Sequence, residues 1–188
     1  MNRNSVRLFI LTLTTALAAL VLPGSAQAAP YCGITWGSTA KTSTAPDSEM
    51  LNGVRAGRHA CFDRLVIDVG GQDVAFNSYD VRYVTQVYSE GKGDAVPVRG
   101  AADLQVVVRA PAYDGNGDAT FDPANDREVV NVVGYSTFRQ VAWAGTFEGQ
   151  TTMALGVRAR LPFRVFTLKG TPASDHTPVL VIDVAHKW

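Results

Sequence analysis

Asp114, Asn116, Asp118 and Asp122 set oxygen donors at the alternating spacing of a calcium-binding loop. Ala119 stands where such a loop needs glycine, and Asn125 where it needs a bidentate glutamate. The stretch therefore reads as a solvated acidic loop, with calcium as its alternative ligand and no other cofactor implied. His59, His176 and His186 have no second His, Cys or Glu at zinc-ligand spacing. The sequence contains no G-x-S-x-G, no H-E-x-x-H and no phosphate-binding loop. A catalytic reading would need two carboxylates that meet in space, as in a glycan hydrolase, with Glu148 and Asp68 as an example. Lacking a nucleophile motif, the chain reads as a binder and not an enzyme.

Binding chemistry is better represented. Tyr135, Phe138 and Trp143 lie close in sequence, just before a turn at Glu148-Gly149. Sugar rings stack on aromatic faces, and Glu, Gln and Arg reach hydroxyls and carboxylates. Arg139, Glu148 and Gln150 are therefore the first glycan-binding candidates, with Trp143 and Tyr135 as the rings. The competing reading puts these aromatics in the core, and Trp143 is expected there.

A five-residue echo, Leu65-Val66-Ile67-Asp68-Val69 and Leu180-Val181-Ile182-Asp183-Val184, places one Asp in each of two apolar segments. A strand carries a carboxylate only if it reaches water or a partner. Arg158, Arg160 and Arg164 are the candidate partners.

The elements that must position these groups are short strands. Phe62–Val69, Val81–Tyr88, Leu104–Ala110, Arg139–Phe147, Thr151–Arg160, Phe163–Leu168 and Val179–Val184 are apolar or alternate with period two. Val129–Val133 adds a short strand or a helix-flanking segment. Gly70-Gly71, Gly91–Gly93, Pro111, Glu148-Gly149 and Pro162 punctuate them. No window sustains a helical period over three turns. The expected fold is mainly β: one antiparallel sandwich of seven or eight short strands.

Residues 1–28 read as a signal peptide: Arg3 and Arg7, an apolar run to Leu22, then Ala26-Gln27-Ala28 for cleavage. Residues 29–58 read as a polar arm without sustained period, and 59–188 as the β domain. An exported chain meets an oxidising compartment, so Cys32 and Cys61 read as one disulfide that tethers the arm. Closing such a loop stabilises by about 3–4 kcal/mol in the chain-entropy model. Without Arg3 and Arg7 the Lys and Arg count falls from 17 to 15, against 17 Asp and Glu. That balance leaves no basic excess for nucleic acid or for an anionic membrane surface. No transmembrane segment is expected in the mature protein.

Cys61-Phe62-Asp63-Arg64-Leu65-Val66-Ile67-Asp68-Val69 resembles the opening strand of AMIN and AMIN-like domains. Thr146–Thr152, Leu161–Val165, Val181–His186 and Cys32–Ser38 are similar to the AMIN-like group of secreted actinobacterial proteins. The resemblance spans residues 32–188. It implies a sandwich of two small sheets, and a cell-wall or extracellular module whose partner is peptidoglycan, another wall glycan, or an envelope protein. The alternative function is a structural or protein-interaction module without a glycan site.

Overall fold

The computed structural model describes residues 33–46, 49–70, 75–171 and 177–188. The expected signal peptide, Cys32 and His176 fall outside them. Among the described residues eleven strands occur: β1 (Lys41–Ser43), β2 (Met50–Arg58), β3 (Phe62–Gly70), β4 (Tyr79–Val84), β5 (Val87–Tyr88), β6 (Ala95–Val96), β7 (Ala102–Val108), β8 (Phe138–Phe147), β9 (Gln150–Val157), β10 (Phe163–Leu168) and β11 (Val179–Ala185). No helix occurs among the described residues.

Two antiparallel sheets face each other, one ordered β1-β4-β7-β9-β8 and the other β10-β11-β3-β2. Period two decides which side chains meet between them. Leu65, Ile67, Val69, Leu180, Ile182 and Val184 point in from one sheet, and Val81, Leu104, Val106, Val108, Met153 and Leu155 from the other. Each fully buried Leu or Ile contributes about 1.5–3 kcal/mol. The structure is the expected antiparallel sandwich.

The echo segments are the two central strands of the smaller sheet. Leu180 pairs with Ile67, Val181 with Val66 and Ile182 with Leu65. Antiparallel pairing sends the two aspartates to opposite ends of the outer face. Asp68 accepts from Arg55, with Nη2 at 2.9 Å. Asp183, 0% exposed, accepts from Arg64 at 2.6 and 2.9 Å and from Arg164 at 2.8 Å. Of the expected partners only Arg164 serves. The Arg158 guanidinium donates to the His186 carbonyl, and Arg160 to the Ser38 carbonyl while lying over the Tyr83 ring.

Three sequence expectations need correction. Residues 50–58, read as arm, form the edge strand β2. A bulge between Leu51 and Gly53 breaks its alternation, and Gly53, Ala56 and Gly57 give it little apolar signal. Val81–Tyr88, read as one strand, splits after Val84. Val81 enters the main core, whereas Val87 joins a second cluster with Ala142, Ala144 and Ala154. Val129–Val133 forms no regular element. Backbone bonds from Val129 N to Val141 O (2.9 Å) and from Trp143 N to Asp126 O (2.6 Å) lay the chain along the edge of β8.

The second cluster explains why β9 is buried on both faces. Residues 85–101 leave the larger sheet, form the β5–β6 hairpin and fold over the sheet's outer face as a flap. The flap returns across β9 at Gly156, where a Cβ would stand 2.0 Å from the Arg99 carbonyl oxygen.

Candidate functional site

Where the flap ends, it leaves a groove over β8. Ala95–Arg99 form one wall, Asn125–Glu128 the other, and Gln140, Ala142 and Trp143 the floor, around a volume of about 710 Å³. Gln140 faces outward from an otherwise apolar strand and is 5% exposed. Its amide oxygen accepts from Arg99 N at 2.8 Å, and its amide nitrogen donates to Arg127 O at 2.7 Å. One side chain thus satisfies itself and ties both walls together. The Arg99 guanidinium repeats the tie, donating to Glu128 Oε1 at 2.5 Å and to Arg139 O at 2.9 Å. The hydrogen bond to Glu128 holds the Arg99 pKa above its ordinary value.

Trp143 contributes to the lining of the groove, but its ring is partly buried against the main core, with Phe121 at 5.7 Å between ring centroids, in line with the expectation that it is a core residue. Two guanidinium groups, two carboxylates and two amides thus converge on the groove. Such planar polar groups can exchange hydrogen bonds with hydroxyl and acetamido groups.

The sequence candidates separate. Trp143 borders the groove with its ring turned to the main core, and Arg139 is at the groove's end, where its guanidinium donates to the carbonyls of Tyr135, Ser136 and Phe138. Tyr135 stacks on Phe138 at 5.9 Å and packs against the main core. Glu148 and Gln150 lie at the other end of β8, about 30 Å along the strand from Arg139. Gln150 donates to Glu90 Oε1 at 3.0 Å. The structure therefore divides the five candidates. Asp68 lies on β3 of the smaller sheet, whereas Glu148 sits in the β8–β9 turn at an end of the larger one.

Arg99, Arg127, Glu128 and Gln140 escaped sequence reasoning because they lie outside any motif, and Asn125 was noticed only as a misfit in the calcium-loop pattern. Gln140, a polar residue amid Val141, Ala142 and Trp143, was the one local signal. Asp63 also escaped notice. It alternates with Leu65 and Ile67 on the inward face and is fully buried. Its carboxylate accepts from Thr137 N at 2.5 Å and Phe138 N at 3.1 Å, with His186 Nε2 at 3.1 Å. It joins β3 to the loop before β8 and to the chain end after β11.

Asp114 closes its own loop. Its Oδ1 accepts from Asn116 N at 2.8 Å and Asp118 N at 3.0 Å, and the backbone bond to Asn116 leads in holding its carboxyl below the usual range. This is a side chain completing a turn. Among the described residues no group of three His, Cys, Asp or Glu side chains could hold a metal ion. None of the described cysteines is a free thiol, and Cys61 is disulfide-bonded. Cys32, the expected other half, lies outside the described residues.

No curated protein and no solved structure matches the chain. The AMIN-like domain model matches residues 49–186, from the residue before β2 to the one after β11. With that match over most of its length, the chain belongs to the AMIN-like domain family, a domain of the cell-envelope type.

Proposed function

We propose that this chain is an exported, non-catalytic envelope module that binds peptidoglycan or a related wall glycan in the groove over β8. The groove carries the proposal: Asn125, Asp126, Arg127 and the Arg99–Glu128 pair surround a floor of Gln140 and Ala142. Family membership supports an envelope role. Glu128 is engaged by Arg99, which suits a fixed hydrogen-bond acceptor better than a proton donor.

Co-sedimentation with purified insoluble peptidoglycan tests this. Wild type should pellet with the wall and release no soluble muropeptide. Arg127→Ala, an exposed change, should lower retention several-fold with the melting temperature held, since surface truncations away from packing stay within about 0.5 kcal/mol. Wild type left in the supernatant at low and moderate salt refutes the binding role. Release of muropeptides refutes the non-catalytic one.

A further inference from the structure

We propose that the groove is one end of a longer track, running over the outward face of the β5–β6 flap to Phe147, that receives a linear glycan chain of several sugar units. This rests on the groove being the glycan site and extends it to the class of ligand: a polymer held along its length instead of a single terminal unit.

The register of the flap makes the connection. Tyr88 pairs directly with Ala95, which lines the groove. Residues opposite each other in an antiparallel pair share a face. Val87 and Val96 pack toward the sheet in the second cluster, so Tyr88 and Ala95 share the outward face. Tyr88 is 57% exposed and stands across the strand pair from the groove residue Ala95.

The turn beyond Tyr88 leads to Phe147. Gly91 has φ +72°, and a Cβ there would lie 3.5 Å from the Phe147 ring, so the ring rests against the turn. Phe147 is still 49% exposed. The register shift between Trp143 and Thr146 turns Phe147 to the flap side of β8.

Both rings sit on anchored backbone. Glu90 N donates to Ala144 O at 2.6 Å, and Glu90 Oε1 accepts from Gln150 Nε2 at 3.0 Å and Thr152 Oγ1 at 2.5 Å. The exposed aromatics are therefore held in place with little further ordering needed on binding. Open rings placed successively beyond a polar groove suit a ligand whose apolar faces repeat. Glu148 and Gln150, which the groove alone leaves unexplained, then border the far end of the track.

The test compares soluble N-acetylglucosamine oligomers of two and six units by calorimetry on the full chain. The hexamer should bind at least about tenfold tighter than the dimer. Tyr88→Ala and Phe147→Ala should each weaken hexamer binding by about three- to tenfold and leave dimer binding unchanged. Tyr88→Phe should keep the wild-type values, showing that the ring and not the hydroxyl matters. Arg127→Ala should weaken both oligomers. Equal affinity for the two lengths, or hexamer binding indifferent to both alanine variants, overturns the track while leaving the groove in place. Binding of neither oligomer, with wall retention indifferent to Arg127→Ala, removes the groove and the track with it.

Discussion

Asp183 and Asp80 show how single carboxylates are kept in strands. Asp183 is fully buried between Arg64 and Arg164, and Arg164 in turn lies 4.2 Å from the centre of the Trp36 ring. Replacing it by Ala leaves two guanidinium groups facing an apolar gap. Losing one partner of a buried charge cluster costs about 3–5 kcal/mol, and urea denaturation of Asp183→Ala should show a loss of that order. Asp80 is depressed, first by its hydrogen bond to Arg82, with Thr42 Oγ1 donating at 2.7 Å. A depressed carboxyl binds its proton less readily folded than unfolded. Its contribution is therefore present above the unfolded pKa near 4 and lost as pH falls through the lower folded value. Thermal melts of wild type should show this decline on acidification. Asp80→Asn should be less stable at neutral pH and lose less between pH 5 and pH 2.

Element by element, the sequence was most legible where strands alternate without interruption. The inward positions Leu65, Ile67, Leu180 and Ile182 were readable from period two and are all fully buried. The β8–β9 turn was readable from Glu148-Gly149. Legibility failed where neighbours override the local pattern. The bulge at Leu51–Gly53 hid β2, and the departure of the flap after Val84 makes Val81 and Val87 serve different cores. The groove was unreadable because its walls, 95–99 and 125–128, meet only through Gln140 and the Arg99–Glu128 pair. Two predictions belong at this level. Gly156→Ala pushes a Cβ into the Arg99 carbonyl and should destabilise by about 1–3 kcal/mol, measured by urea denaturation. Glu148 has φ +47°, a conformation Asn accepts more readily. Glu148→Asn should raise stability by up to about 1 kcal/mol, read as a higher melting temperature.

For the whole molecule, one consequence lies in the pairing of β3 with β11. The five-residue echo pairs about a local two-fold axis through Val66 and Val181, so exchanging the two copies reproduces the register. A segment with that property is self-complementary: it can pair with its own copy on another chain using the same cross-strand partners that it uses at home. Until β11, far along the chain from β3, is in place, β3 offers an apolar edge that a second molecule's β3 matches. Refolding should then partition between closing the sheet within one chain, which is independent of concentration, and joining two chains, which is not. The recovered monomer after dilution from urea should fall as protein concentration rises, with exchanged dimers or aggregates in its place. Val66→Lys, at the centre of the self-pair, should suppress the intermolecular product by setting like charges opposite each other. Size-exclusion profiles that do not change with refolding concentration would show that closure within the chain always wins.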